Sequence, residues 1–134
     1  MYKFGKDFNF DWYLKDLQGN RIAYKTLDKE IWYVDNTNAE YRKWAVKIVK
    51  SWMDMTYNGK SLYDGIAFDS SHIYDVQSNS QTGQLKKLIS RIGRQRLEKQ
   101  NEGLKKLFTE TKAGIGDKIV LFNGVENKEW ARNN

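Results

Sequence analysis

The residues best suited to catalysis lie between positions 64 and 75. Three carboxylates and the only histidine of the chain fall there: Asp64, Asp69, His72 and Asp75. Carboxylate oxygens and an imidazole nitrogen can bind Mg²⁺ or Mn²⁺, which assist phosphodiester hydrolysis. However, Asp-Gly and Asp-Ser-Ser are also ordinary turn sequences, and the spacing matches no metal motif. We therefore predict no catalytic and no metal-binding residue, and a metal-dependent nuclease is the third of three functional hypotheses.

A second acidic arrangement lies near the end of the sequence. Asp117 precedes the apolar run Ile119–Phe122, and Glu126-Asn127-Lys128 follows it. This order resembles the acid…Glu-x-Lys motif of the restriction-type nucleases, with the apolar run as the strand between. In that family further core elements follow the Glu-x-Lys strand, whereas only six residues follow Lys128. We therefore predict that the protein is not an enzyme.

The composition excludes several other kinds of site. The chain has no cysteine, which excludes disulfides and thiolate metal sites, and one histidine is too few for a histidine-based zinc site. The sequence also lacks a Walker-type loop, a dinucleotide-binding fingerprint and a Gly-x-Ser-x-Gly elbow. We predict no cofactor.

The net charge of the chain is concentrated in residues 81–106. Eight basic and two acidic side chains fall there, an excess equal to the net charge of +6, so the rest of the chain is neutral. Concentrated positive charge attracts a polyanion, and arginine suits bidentate phosphate contacts. The alternative is an ordinary solvated helix face. We predict that eight residues bind nucleic acid or another partner: Lys86, Lys87, Arg91, Arg94, Arg96, Lys99, Lys105 and Lys106.

The first third of the chain alternates apolar and polar residues, a pattern typical of antiparallel strands. The first strand would present four large apolar side chains on one face: Phe8, Phe10, Trp12 and Leu14. A turn at residues 18–20 leads to further strands at 22–26 and 30–34. We predict a β-meander whose aromatic face is core. The better candidates for exposure, and for stacking on unpaired bases, are Tyr13, Tyr24 and Tyr33.

Two helical segments follow the meander. Apolar residues recur at three- and four-residue spacing over residues 41–55, which predicts an amphipathic helix capped at 36–38, with Trp44, Ile48 and Trp52 in the core. Residues 84–106 form the basic helical segment.

The apolar side of the basic segment does not stay on one face. Leu85, Leu88, Ile89 and Ile92 share a face, but the apolar residues that come after Gly93 are rotated by ~120°. The helix must break near Gly93 or Gly103, or cross from one packing partner to another. Beyond it, residues 119–122 with Asn123-Gly124 predict a C-terminal hairpin, and residues 126–132 could instead form a short helix.

These patterns predict one α+β domain over residues 1–134. An N-terminal antiparallel meander packs on the amphipathic helix, followed by a basic helical arm and a short C-terminal hairpin. The longest apolar runs have four residues and the first ten residues mix charges with aromatics, so we expect no membrane association and a cytoplasmic location.

The leading functional hypothesis is non-enzymatic binding of nucleic acid or a nucleoprotein through residues 84–106. Abundant lysine and asparagine with no proline resemble the products of AT-rich genomes, such as a low-GC bacterium or its phages and plasmids. The second hypothesis is therefore a phage or mobile-element inhibitor, anti-CRISPR-like in character, that binds a host defence protein.

Overall fold

A computed structural model describes residues 7–25, 27–69, 71–77 and 83–123, and shows the predicted mixed α+β architecture. In chain order its elements are a 3₁₀ helix (Phe10–Trp12), β1 (Ala23–Lys25), β2 (Glu30–Trp32), α1 (Ala39–Met53), β3 (Thr56–Tyr57), β4 (Lys60–Ser61), β5 (Gly65–Phe68), α2 (Gly83–Ile92), α3 (Arg94–Ile115) and β6 (Ile119–Phe122). None of these helices is both long and apolar enough to span a membrane.

The N-terminal meander is antiparallel and packs on the helices. β1 pairs with β2, with Ala23 opposite Trp32. Residues 13–15 join this pair through a closed set of backbone hydrogen bonds. The N–H of Leu14 donates to Tyr33 O (2.9 Å), that of Ile22 to Leu14 O (2.9 Å), and that of Tyr33 to Ile22 O (3.0 Å). The three segments therefore hold each other directly, although each is short.

The start of the predicted first strand differs from the expectation. Asn9 caps a 3₁₀ turn at Phe10–Trp12 by accepting a hydrogen bond from the Asp11 N–H (2.9 Å). With three residues per turn, this helix breaks the period-two alternation. Phe10 is consequently 61% exposed, whereas Leu14, beyond the turn, is buried in the core. The prediction of one continuous aromatic core face was wrong at this turn.

Helix α1 confirms the predicted element and its cap. The side chain of Asn38 accepts a hydrogen bond from the Tyr41 N–H (3.0 Å), as an N-cap residue should. The side of α1 that packs on α3 differs from the predicted one, because it buries Val49 and Met53. Trp52 is 37% exposed, so its assignment to the core was wrong. Trp52 is adjacent to Met53 in sequence, and ~100° of helical rotation turns it away from the interface.

The basic segment breaks at the first of the two predicted positions. Helix α2 ends at Ile92, and Gly93 has a φ of 80°, in the left-handed region that favours glycine. This residue changes the chain direction, so the two rotated apolar sets can both be buried. Leu85 and Leu97, on either side of the break, belong to one core cluster with the meander residues Leu14 and Ile22.

The other glycine, Gly103, has a packing role inside α3. A Cβ at this position would lie 2.3 Å from the carbonyl oxygen of Asn36. The missing side chain lets α3 approach the backbone just before α1. Gln100, one turn earlier on α3, accepts the Asn36 N–H through Oε1 (2.9 Å) and donates to Asp35 Oδ1 (2.6 Å).

The last described strand pairs across the fold. β6 runs parallel to β5, with Gly65 opposite Ile119, and the crossover through α2 and α3 is long enough to connect two parallel strands. The ring of Phe108 lies 5.2 Å from that of Phe68 and 5.1 Å from that of Phe122. Residues 124–134, with the rest of the predicted hairpin and its helical alternative, lie outside the described residues.

Candidate nucleic-acid interface

The eight predicted basic residues do not share one surface. Lys86, Lys87 and Arg91 lie on α2, and the others lie on α3, beyond the change of direction at Gly93. On α3, Lys99 and Lys106 are exposed and seven residues apart, on the side opposite the buried Leu97. The half-buried Arg96 and Lys105 lie on opposite margins of that helix. The structure thus divides one stretch of charge among several faces.

Within the part of the chain that the structure describes, Arg91, Arg94 and Lys105 make intramolecular polar contacts. Nη1 of Arg91 lies 3.5 Å from Oδ2 of Asp16, and Nη1 of Arg94 donates a hydrogen bond to the carbonyl oxygen of Val76. Nζ of Lys105 lies 2.8 Å from Oε1 of Glu102. These contacts give the side chains a structural role, so their replacement would change stability as well as charge.

The structure brings two of the eight together with residues from the meander. A cleft of about 580 Å³ lies between the β1–β2 hairpin and α2. Its lining contains four basic side chains and one acidic one: Arg21, Lys25, Lys87, Arg91 and Glu30. Tyr24 and Trp32 add aromatic surface, and the remaining lining residues are Ala23, Gly83 and Gln84. We call this feature the basic cleft.

The sequence interpretation did not include Arg21, Lys25 and Trp32, which line the basic cleft, among the candidate residues. A signal for the two cations existed, because Arg21, Ala23 and Lys25 alternate with the buried Ile22 and thus share one side of an extended segment. That signal is weak because the meander as a whole has no net charge excess. The side of the hairpin that faces α2 was not deducible from local spacing.

Asp16 connects the meander to α2 at the edge of the basic cleft. Its Oδ1 accepts hydrogen bonds from the N–H groups of Asn20 (2.8 Å) and Gln18 (3.0 Å), and its side chain is 1% exposed. The Asn20 N–H is the main cause of a lowered Asp16 pKa. The Gln18 N–H and the Arg91 guanidinium act in the same direction, against the effect of burial. Asp16 therefore helps to hold Arg91 beside the meander.

The lowered pKa of Asp16 predicts how the stability of the Asp16→Asn variant depends on pH. A carboxyl whose folded-state pKa lies below its ordinary value of 3.8 stabilises the fold fully above that pH. The stabilisation is lost as the pH falls through the folded-state pKa. We expect Asp16→Asn to melt below wild type at pH 7 and to lose less stability on acidification to about pH 3. Thermal melts across this pH range measure the effect, and the exposed Asp28→Asn is the control. A parallel loss of stability in Asp16→Asn and wild type would contradict the prediction.

Aromatic rings continue from the basic cleft into the meander. Cζ of Arg21 lies 5.3 Å from the ring centroid of Tyr13 and 5.6 Å from that of Phe10, within cation–π range. The Tyr13 ring is 6.0 Å from Trp32, whose residue is 39% exposed. The arrangement places an accessible indole beside basic groups. The tyrosines predicted to be exposed, Tyr13, Tyr24 and Tyr33, are all half-buried.

The N-terminal end of α2 is tied to the hairpin. Nε2 of Gln84 donates a hydrogen bond to the hydroxyl oxygen of Tyr33, and the Tyr33 ring lies 5.3 Å from that of Tyr24. Burial raises the pKa of the Tyr33 hydroxyl above its ordinary value of 10.0. The two walls of the basic cleft are thus connected by a polar contact as well as by the shared core.

The acidic residues considered for catalysis are separated. Among the described residues, no group of three or more histidine and acidic side chains could hold a metal ion. Asp69 accepts a hydrogen bond from Asn123 Nδ2 (3.0 Å), and Asp75 accepts the Gln77 N–H (3.2 Å) as in a turn. The ring of His72 stacks on that of Tyr74, 5.5 Å away. Glu126 and Lys128 lie outside the described residues.

Comparison with known proteins adds no assignment. No protein-family model matches this sequence, and no curated protein matches it. The functional inference therefore depends on the residues and geometry described above.

Proposed function

We propose that this protein binds nucleic acid, without catalysing a reaction, and that the basic cleft is the contact site. The observation that supports this proposal most directly is the lining itself. Four cations from two separate elements converge on one concave surface that holds a single acid and two aromatic rings. Phosphate contacts from lysine and arginine supply most of the affinity in such interfaces, and rings bind bases.

The remaining basic residues contribute through their field. Lys86 is exposed on α2, and Lys99 and Lys106 are exposed on α3, outside the lining of the basic cleft. Because charges act over a Debye length of about 10 Å at 0.1 M salt, these residues attract a polyanion without contacting it in the cleft. The basic segment therefore attracts the nucleic acid over a distance, and the basic cleft contacts it.

Salt dependence tests this proposal. We expect fluorescently labelled oligonucleotides to bind at about 50 mM salt and to dissociate as salt approaches 200 mM. Release of counterions by four cations gives a slope of log K against log salt of about −3 to −4. Fluorescence anisotropy measures both affinity and slope. Absence of binding at low salt, or a slope near zero, would contradict the proposal.

A second candidate is the anti-defence inhibitor that binds a host protein of a low-GC bacterium. The observation that favours it is apolar exposure around the β3–β4 hairpin. Met55 is 45% exposed, Tyr57 70%, Leu62 52% and Tyr63 47%, and the Leu62 N–H donates to Met55 O. Exposed apolar side chains that lie together mark protein-binding surfaces.

The two candidates separate in a pull-down from host lysate performed with and without nuclease. Stable capture of one host protein after nuclease treatment, by a protein that binds no free oligonucleotide, supports the second candidate. Loss of all captured material after nuclease supports the first. Leu62→Asp provides the variant for the second candidate, because the exposed position accepts a charge without disturbing the core.

A further inference from the structure

We infer that the basic cleft selects single-stranded over duplex nucleic acid, and that Trp32 is the residue on which an unpaired base stacks. This inference rests on the proposed function and names its substrate class. It depends on three features of the basic cleft: the exposure and support of the Trp32 ring, the placement of the cations, and the shape of the surface.

Trp32 is placed as a stacking residue. It is 39% exposed although it lies within a paired strand, and its partner across the hairpin is Ala23, whose methyl group fills little of the cleft. The Tyr13 ring, 6.0 Å away, supports the indole, and Arg21 covers Tyr13. The indole is therefore accessible yet held, which reduces the entropy lost when a base stacks on it.

The cations lie on two walls that face a single chain. Lys87 and Arg91 are four residues apart on α2, ~6 Å along the helix axis. Arg21 and Lys25 are four residues apart in an extended segment, ~13 Å along the strand. Glu30 is the one acid of the lining, so the walls carry an excess of three positive charges. A phosphate backbone that runs between these walls meets cations on both sides.

The concave shape suits a single strand better than a duplex. Base recognition in duplex DNA uses a helix or strand pair that projects into a groove. Here Lys87 and Arg91 line the cleft together with residues of the β1–β2 hairpin, so a ligand that reaches them also meets the hairpin. A volume of about 580 Å³ is in the range of clefts that enclose one drug-sized molecule. An unpaired nucleotide fits this description, whereas a stacked and paired base leaves the Trp32 ring without a partner.

The experiment compares three labelled ligands of equal length, about 12 nucleotides, at one salt concentration. They are a dT single strand, an abasic strand that keeps the phosphates, and a duplex. We expect wild type to bind the dT strand at least about 5-fold more tightly than either of the others, since stacking of one base is worth roughly 5- to 150-fold. This comparison needs no variant.

Two variants then assign the effect to one ring. Trp32→Ala should bind the dT strand no more tightly than the abasic strand, and Trp32→Phe should restore part of the difference. Trp52→Ala is the matched control, because Trp52 is 37% exposed but lies on α1, outside the cleft. It should retain the full preference for the dT strand.

The outcomes distinguish this inference from the proposed function. Equal, salt-dependent affinity of wild type for all three ligands would overturn single-strand selection and leave nucleic-acid binding in place. A dT preference that persists in folded Trp32→Ala would overturn the role of Trp32. Binding to none of the ligands would overturn both the inference and the proposed function.

Discussion

Reversal of one charge on each wall of the basic cleft, in Lys25→Glu/Lys87→Glu, is expected to reduce affinity for an oligonucleotide by about 100-fold or more at 0.1 M salt. Each lost contact removes a charge-assisted hydrogen bond, worth about 1.5–3 kcal/mol. Each new carboxylate also repels the phosphates. Both lysines are exposed, but Lys25 lies opposite Glu30 in the β1–β2 pair, so the melting temperature of the double variant is measured beside its affinity to show that it is folded. Fluorescence anisotropy measures the affinity. The slope of log K against log salt should become less steep by about 1.5 to 2.

The matched control is Lys99→Glu/Lys106→Glu, which makes the same change in net charge on the outer side of α3. These residues lie outside the cleft lining. Their replacement should weaken binding by less than about 10-fold, because it changes only the electrostatic field around the cleft. Equal losses in the two double variants would show that total charge determines affinity, and the cleft would not be the contact site. Arg91 and Arg94 are less suitable for this test, because their contacts with Asp16 and Val76 O connect parts of the fold.

Truncation of Leu85 to alanine is expected to cost about 2–5 kcal/mol of unfolding free energy. Leu85 is 1% exposed and belongs to the core cluster that α2 shares with the meander and α3. A small domain has about 5–15 kcal/mol in total, so the melting temperature should fall by on the order of 10 °C. The truncation destabilises the fold because it leaves a cavity, and the surrounding elements cannot move to fill it while their other contacts hold them in place.

Leu17→Ala is the control for this prediction, since the same atoms are removed from a side chain that is 71% exposed. Its melting temperature should stay within about 2 °C of wild type, as is typical of surface substitutions. Similar melting temperatures for the two variants would mean that α2 does not pack on the meander as described. The basic cleft would then lose one of its walls, so this stability measurement also tests the geometry of the site.

Local physical chemistry was sufficient to predict several elements. The cap at Asn38 and the helix that follows could be predicted because a polar cap and a three- and four-residue apolar spacing act within a few turns of chain. The break at Gly93 was one of two predicted positions, and glycine there permits the positive φ of 80°. The antiparallel meander was also predicted, since alternation and turn residues are local signals.

Other features depend on contacts between distant residues. The parallel pairing of β6 with β5 joins residues more than fifty positions apart, and no local pattern specifies it. The exposure of Trp52 depends on which side of α1 meets α3. Both sides of that helix contain large apolar residues, so periodicity predicted the helix but assigned Trp52 wrongly to its inward side. The 3₁₀ turn at Phe10–Trp12 likewise overrode an alternating pattern.

The same division applies to the candidate site. The sequence by itself determined where the charge excess lies, since charges can be counted along the chain. Only the tertiary structure decided which charges share a surface. The turn at Gly93 directs the α3 charges to other faces, and packing of the β1–β2 hairpin beside α2 brings Arg21, Lys25 and Trp32 to Lys87 and Arg91. Burial of Leu14, Ile22 and Leu85 in one core cluster fixes that packing, because apolar side chains from both elements leave water together.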